Sequence, residues 1–307
     1  MSEKRPPRRR VPRTVAPLEV PPLDSIGTLG FPLKQRALDA LVRAALDEDG
    51  AFNDLTTIAT VVSERRARGS LVARQAGVIC GVALALDAFR LLDPKVAIRI
   101  DVEDGVAVEP GTSVLFLNGS ARALLSAERV ALNFLQRLSG IATLTAQYVA
   151  AVQGTPAKIL DTRKTTPGWR KLEKYAVRAG GGVNHRMDLS SAVLVKDNHL
   201  RAAGGVRSAV ELLRAAGSGL PIEVESETLD DVCEALAAGA EQILLDNMSP
   251  ALMREAVQLV DGKASLEASG GVSLETVREI AATGVDFVSV GALTHSARSL
   301  DVSLELE

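Results

Sequence analysis

Ile222-Glu223-Val224-Glu225, Gln242-Ile243-Leu244-Leu245-Asp246, Leu266-Glu267-Ala268-Ser269 and Phe287-Val288-Ser289-Val290-Gly291 are four short apolar runs, each ending in polar residues or glycine. From Glu225 to Asp246 is 21 residues, from Asp246 to Ser269 is 23, and from Ser269 to Gly291 is 22. Between the runs lie Ala/Leu-rich stretches with helical spacing, such as Leu229 to Ala238 and Leu274 to Ala282. A near-constant period of this size predicts a repeated strand–helix unit. Such units build a parallel sheet, closed into a barrel or open and doubly wound. Two earlier runs extend the series: Lys158-Ile159-Leu160-Asp161-Thr162-Arg163 and Ala192-Val193-Leu194-Val195-Lys196.

The first half reads differently. Leu38, Leu41, Val42 and Ala45 recur at helical spacing before Gly50, which predicts an amphipathic helix with a glycine stop. Asn53 to Thr57 reads as a turn rich in side-chain oxygens. Val96 to Val102 alternates like a strand, Asp104-Gly105 signals a hairpin, and Glu109-Pro110-Gly111-Thr112 a second turn before a strand at Ser113 to Leu117. A long helix is expected from Ala121 to Leu138, broken near Gly140 and resuming to Val152. The N-terminal residues to about 25 read as a disordered Pro/Arg-rich tail.

With 307 residues, 47% hydrophobic and 24% charged, the chain has the balance of a soluble globular protein with a sizeable core. Aromatics are only 3%, so the core must be aliphatic and base-stacking platforms are scarce. Cys80 and Cys233 are too few for a disulfide scaffold or a zinc site, which points to a reduced, cytoplasmic protein. The longest uncharged run, Leu138 to Ala157, carries Thr, Gln, Ser, Gly and Pro, so no membrane span is expected. Net charge is −3, yet Arg163 to Lys196 holds eight basic residues against Glu173 and Asp188. Arg170, Lys171, Lys174 and Arg178, with Glu173 among them, read as a solvated helix. The other basic residues of the window are the ones to explain.

Arg163, Lys196, Glu225, Asp246, Ser269 and Gly291 all fall at the C-terminal ends of predicted strands. In a barrel those ends share one mouth, where active sites are built. Arg163, Lys164, Arg186 and Lys196, with His185 adjoining, suit an anion with several oxygens, a dicarboxylate or a phosphate. Glu225 and Asp246 are an acidic pair fit for Mg²⁺ or sugar hydroxyls, or else for structural salt bridges to the basic residues. Ser269-Gly270-Gly271 and Gly291-Ala292 expose backbone N–H groups before helices, a phosphate-binding arrangement. Gly180-Gly181-Gly182 reads as a loop that lets backbone approach a ligand.

Those residues resemble a known family. Asp161-Thr162-Arg163-Lys164-Thr165-Thr166-Pro167-Gly168, Gly180 to Arg186 and Lys196-Asp197-Asn198-His199 are similar to the signature of the quinolinate phosphoribosyltransferases. The likeness extends to Asp54-Leu55-Thr56-Thr57, Glu128 to Asn133, Gln136 to Thr143 and Ser289 to His295. The resemblance implies an N-terminal α/β open sandwich domain followed by an incomplete (β/α) barrel of the type II phosphoribosyltransferase kind. Its expected boundaries are a tail at 1–24, a sandwich at 25–130 to which 296–307 returns, and a barrel at 131–295. It implies a pentosyltransferase of NAD biosynthesis that converts quinolinate and phosphoribosyl pyrophosphate (PRPP) into nicotinate mononucleotide, pyrophosphate and CO₂ with Mg²⁺. By position, Arg129, Arg163, His185, Arg186 and Lys196 would hold the quinolinate carboxylates, with Thr162 assisting and Lys164 facing the pyrophosphate. Glu225 and Asp246 would hold ribose hydroxyls and Mg²⁺-PRPP, and Lys164, Glu225 and Asp246 form the expected catalytic set. Ser269, Gly270 and Gly271 with Ser289, Val290, Gly291 and Ala292 would cradle the 5′-phosphate. The family works as a homodimer or larger assembly, with Arg129 supplied across the interface; no nucleic acid and no membrane partner is expected.

Two departures stand out: Ser191 where the family often has Asp, and Trp169 where a smaller apolar residue is common. Two alternative functions stay open. One is a molybdenum-transport-associated paralogue. The other is a barrel lyase forming a Schiff base on Lys196.

Overall fold

The computed structural model describes residues 29–217 and 219–307; the predicted tail at 1–24 lies outside the described residues. The chain opens with α1 (Gln35–Glu48) and α2 (Leu55–Thr60). Leu38, Val42 and Leu46 form the buried stripe of α1, and Gly50, at φ +67°, turns the chain beyond it. The stretch read as a turn is a helix start: Asp54 caps α2 by accepting the Thr57 N–H at 2.9 Å.

Then come β1 (Arg66–Ala73), β2 (Gly77–Val78), α3 (Val82–Leu92), β3 (Ala97–Ile100), β4 (Ala107–Val108) and β5 (Ser113–Ser120). Asp104-Gly105 does not make the expected hairpin. Strand β3 pairs with β5, whereas β4 pairs with β2 in a separate two-stranded ribbon. Asp104 is instead a buried tether, accepting from the N–H groups of Gly81 and Val82 at the start of α3 and from the Tyr175 hydroxyl.

Helix α4 (Ala121–Ala151) runs 31 residues without the expected break. Gly140 serves packing, not termination: a Cβ there would come within 2.0 Å of the Arg298 carbonyl oxygen. The long helix therefore lies directly against the returning chain. That chain ends in β12 (Val302–Leu306), which pairs antiparallel with β1 in a sheet of order β12-β1-β5-β3.

The second sheet is built from β6 (Lys158–Leu160), β7 (Val193–Val195), β8 (Ile222–Ser226), β9 (Gln242–Asp246), β10 (Ser265–Ser269) and β11 (Phe287–Ser289). The connections carry α5 (Arg170–Ala179), α6 (Asp197–Ala203), α7 (Val206–Ala215), α8 (Leu229–Ala237), α9 (Pro250–Val260) and α10 (Val277–Ala281), and α11 (Ala292–His295) follows the last strand. All six strands run parallel in the order β6-β11-β10-β9-β8-β7. Among the described residues no ladder joins β6 to β7; only a single bridge, Leu160 to Val183, narrows that gap. The result is an incomplete barrel. Its helix side is aliphatic, with Ile222, Val224, Ile243, Leu245, Leu266, Ala268 and Val288 buried. The alternating residues Glu223, Gln242, Glu267 and Ser289 point the other way and fill the interior with polar groups.

Helix α5 corrects another expectation. Lys171 is exposed, but Glu173 and Lys174 are fully buried. Lys174 Nζ pairs with Asp161, and Glu173 accepts from Arg137 Nη2 at 3.1 Å and from the Thr166 N–H at 3.0 Å. An exposure of 0% for two charged side chains demands such partners. Trp169, just before α5, stacks on Phe134 of α4 with centroids 5.2 Å apart.

Candidate active site

At the C-terminal ends of the parallel strands lies a cavity of about 710 Å³. It brings together Thr162, Arg163, Lys164, His185, Arg186, Lys196, Glu225, Asp246, Ser269, Gly270, Gly271, Ser289, Gly291 and Ala292. Two expected residues stand apart from its lining. Val290 is buried beneath the wall, and Arg129 lies on α4 with its side chain 63% exposed and Glu128 4.0 Å away.

The cationic end is assembled from the loops after β6 and before β7. Thr162 Oγ1 accepts the Lys164 N–H at 3.1 Å, and the Thr294 hydroxyl donates to the Lys164 carbonyl at 2.7 Å. Arg170, expected to be solvated, ties two loops together by donating to Thr165 Oγ1, the Arg163 carbonyl and the Met187 carbonyl. Arg186 Nη1 is fixed on the Ala192 carbonyl at 3.1 Å. Burial and the nearby Arg163 charge hold the Arg186 guanidinium below its ordinary value, against the pull of Glu223. Arg163 Nε is buried with no partner. Ser191, the departure from the family pattern, accepts from the N–H groups of Met187 and Asp188 and so closes the loop locally.

The acidic and glycine-rich end lies across β8 to β11. Lys196 Nζ donates to Glu225 Oε2 at 2.8 Å, so the expected salt-bridge reading holds for this pair. Asp246 lies beside Ser269 in the parallel register, and its Oδ2 accepts from Asn247 at 2.8 Å. Gly270 sits at φ +95°, and a Cβ on it would meet Asn247 Oδ1 at 2.1 Å. Gly271, at φ +60°, has open space where a Cβ would be. A Cβ on Gly291 would be 3.1 Å from His295 Nε2 and 3.2 Å from Lys164 Cδ. These glycines keep the wall thin where backbone N–H groups meet the cavity.

Several site residues went unassigned in the sequence. Asn247, His295 and Glu267 line the cavity, and Glu223 lies beside Glu267. Strand alternation marks Glu223 and Glu267 once the strand-end residues are known, because each lies two residues earlier on the same face. Burial beside Glu223 pushes the Glu267 carboxyl up to about 8, opposed by His185 and Ser289. For His185, burial works downward, but the Glu223 hydrogen bond and the charges of both glutamates outweigh it and raise the ring. Asp161 accepts from Lys174, from Asn184 Nδ2 at 2.6 Å and from the His185 N–H at 2.9 Å. Burial pushes its carboxyl up and the Lys174 ammonium down, each opposed by the other.

A parallel barrel whose mouth sets a cationic pocket against an acidic pair and a glycine cradle defines an enzyme for anionic, phosphorylated small molecules. Comparison with known proteins sharpens that class. The family model described as quinolinate phosphoribosyl transferase, N-terminal domain, matches residues 54–139, and the C-terminal domain model matches 141–305. The chain is 48% identical over 273 residues to the nicotinate-nucleotide pyrophosphorylase [carboxylating] of Mycobacterium leprae, covering 86% of this chain and 95% of that one. It is 45% identical over 260 residues to the probable Bacillus subtilis enzyme of that name, covering 84% and 90%. The solved nicotinate-nucleotide pyrophosphorylase of Francisella tularensis superposes with a TM-score of 0.86 at 39% identity, over 90% of this chain and 98% of that one. The chain belongs to the quinolinate phosphoribosyltransferase family.

Proposed function

We propose that this cavity carries out the reaction of the family: transfer of the phosphoribosyl group of PRPP to quinolinate with decarboxylation, giving nicotinate mononucleotide, pyrophosphate and CO₂. The observation that carries the assignment of substrate to place is the convergence of Arg163, Arg186 and Lys196 on one cavity. Guanidinium forks and an ammonium match the two carboxylates of quinolinate. Thr162 assists from the same loop, and Arg186 is held for the task by its bond to the Ala192 carbonyl.

The pyridine nitrogen attacks C1′ of PRPP as the bond from C1′ to the pyrophosphate oxygen breaks. Positive charge builds on the ribose and negative charge on the leaving group. Lys164, braced by Thr162 and Thr294, is placed to neutralise the leaving pyrophosphate. Glu225 and Asp246 orient the ribose hydroxyls, and Ser269 to Gly271 with Ser289 to Ala292 hold the 5′-phosphate on backbone N–H groups. The glycosylated ring is cationic, so it stabilises the electron pair left at the ring carbon when the adjacent carboxylate departs as CO₂. A proton then replaces the carboxylate on that carbon. No strong general base is required.

The donor set at Glu225 and Asp246 fits Mg²⁺, since both are hard oxygen ligands and the hydrogen bonds at the mouth engage only one oxygen of each. Glu225 and Asp246 would hold the ion together with PRPP oxygens. Bound there, Mg²⁺ supplies charge neutralisation for pyrophosphate departure. The Schiff-base reading loses support, because Lys196 Nζ is in an ion pair with Glu225 instead of in an apolar pocket.

We further propose a homodimer in which Arg129 reaches a neighbouring cavity. Arg129 is exposed on α4, and near the same helix Leu55 and Ile58 of α2 leave apolar side chains 81% and 46% exposed. Arg122 of α4 binds the Ile58 carbonyl, so these features form one surface. We also propose a reducing compartment, the cytoplasm, a reading supported by the free state of Cys80 and Cys233.

The deciding assay incubates the protein with quinolinate, PRPP and Mg²⁺ and measures CO₂ and nicotinate mononucleotide. Absence of both products in the folded protein overturns the assignment. Mixing inactive Arg129→Ala with inactive Lys196→Ala should restore part of the activity through hybrid dimers. No recovery despite demonstrated subunit exchange removes Arg129 from the partner's site.

A further inference from the structure

The floor of the cavity is closed by side chains to which no substrate role has been given. Gln242 Nε2 donates to Glu223 Oε1 and to Glu267 Oε2, both at 3.0 Å. The Ser289 hydroxyl donates to Glu267 Oε1. Above them His185 Nε2 lies 3.3 Å from Glu223 Oε2 and 3.5 Å from Glu267 Oε2. Two carboxyl groups buried side by side are costly, so an arrangement like this one must be held by its partners. The partner in the middle is an amide N–H₂ that donates to both. Such a donor suits a hydrogen-bonded floor and opposes a cation in the same place.

His185 shows what the floor does. Its Nδ1 accepts the Arg186 backbone N–H at 2.6 Å. A nitrogen that accepts carries no proton, so the proton of the neutral ring sits on Nε2, the atom that faces the two carboxyl groups. The main chain of His185 is gripped as well: its N–H donates to Asp161 at 2.9 Å, and its carbonyl accepts from Lys174 at 3.0 Å. Every polar atom of the residue therefore faces a partner within the protein. No ring N–H remains for a substrate carboxylate. Turning the ring over would set a C–H against the Arg186 N–H and lose that bond.

We propose that Glu223, Gln242 and Glu267 are positioning residues for quinolinate, which lock His185 in its Nε2-protonated form so that the ring aligns the Arg186 peptide. On this view Arg186 supplies the hydrogen bonds at that end of the substrate, and His185 shapes and orients the pocket without donating to it. The inference rests on the assignment of this cavity to quinolinate.

Its test begins without catalysis. The chain has three histidines, so nitrogen-15 labelling of histidine gives few ring signals, and His185→Asn identifies the one that matters. In the ligand-free protein at mildly alkaline pH, His185 should show a protonated Nε2 and a bare Nδ1. A neutral ring protonated on Nδ1 overturns the proposal, whatever the assay for product says. Glu223 faces the His185 ring at 3.3 Å and accepts from Gln242, so Glu223→Leu tests the lock. It should disturb the His185 signal and raise the KM for quinolinate by roughly tenfold or more, with the KM for PRPP little changed. Glu223→Gln keeps an oxygen acceptor and should restore both the ring signal and most of the quinolinate KM. Equal rises in the two KM values, or an unchanged ring signal in the folded Leu variant, also overturn it. Should the Leu variant not fold, the wild-type spectrum still decides.

Discussion

The two sheets solve opposite problems with similar-looking strands. In the N-terminal sheet, the alternation along β5 buries Leu115 and Leu117, and the strands serve packing against the helices. In the parallel sheet the same alternation buries Val224, Ile243 and Ala268 on the helix side but turns Glu223, Gln242 and Glu267 inward. A barrel interior is commonly filled by branched aliphatic residues; here it carries a hydrogen-bonded polar network under a charged mouth. Stability in the second half therefore rests on the outer face and on satisfied buried polar groups, and the inner face is spent on the site. Substitutions in the two regions should separate along that line.

The largest effect expected is on turnover, with little on stability. Lys164→Ala and Glu225→Ala each remove a charge at the mouth and should cost roughly 100- to 1,000-fold in activity. Their thermal melts should stay near wild type, because Glu225 lies at a strand end and Lys164 on a loop. Product formation and melting temperature, measured on the same preparations, check this. Unfolding of both variants would mean that the mouth is structural after all.

Beneath the mouth the order reverses. Lys174→Met removes one partner of the fully buried pair with Asp161 and also the donor to the His185 carbonyl. An uncompensated buried carboxylate should cost about 3–5 kcal/mol in a denaturant titration. By contrast Arg74→Ala, which breaks an exposed pair with Glu305 between β1 and β12, should cost at most about 1 kcal/mol. Similar losses from the two would erase the distinction between buried and surface charge.

These residues also mark how far the sequence could be read. All six parallel strands were legible, because four apolar runs with polar or glycine ends recur every 21 to 23 residues and two earlier runs repeat the pattern at wider spacing. So was most of the cavity wall, since strand-end position and chemistry coincide. Lys174 was not, because a charge four residues beyond Arg170 on a helix looks the same whether water or Asp161 meets it. Glu223 and Glu267 were hidden by their apolar neighbours, and only the face that holds the cavity tells which alternating set turns inward. The absent hairpin at Asp104-Gly105 and the unbroken helix at Gly140 both follow from tertiary arrangement. At Asp104-Gly105 the turn itself forms, but the strands on either side pair with other partners; at Gly140 the glycine answers to close packing on the Arg298 carbonyl.

Asp104 links the two regions through Tyr175, and it gives the comparison a pH axis. Burial raises its carboxyl to about 6, opposed by the N–H groups of Val82 and Gly81 and by the Tyr175 hydroxyl. A carboxyl with a raised folded-state value favours the folded protein most when both states are protonated. Between the unfolded value near 4 and about 6 the unfolded chain ionises first, so the stability contribution of this group falls as pH rises through that window. The fall amounts to about 3 kcal/mol. Asp104→Asn keeps an acceptor for the α3 N–H groups and should flatten this part of the stability profile. A profile unchanged by the substitution would show that Asp104 is ionised in the folded state throughout.

A further substitution tests the junction where the chain returns. Alanine in place of an exposed helical glycine stabilises a helix by roughly 1 kcal/mol. Gly140 lies mid-helix in α4, so propensity alone predicts a gain. The Arg298 carbonyl, 2.0 Å from where the new Cβ would sit, predicts a loss instead. Relief requires α4 and the 296–300 segment to move apart, and Arg137 resists this by donating to the Ala297 carbonyl at 2.8 Å. Overpacking of this kind costs about 1–3 kcal/mol, so the net expectation for Gly140→Ala is a modest destabilisation in a denaturant titration. Arg137 also contacts the Thr294 carbonyl and Glu173, so the same shift would loosen the brace behind Lys164 and lower turnover slightly. A stabilised Gly140→Ala protein with full activity would show that the returning chain yields freely, and that packing at this junction does not reach the site.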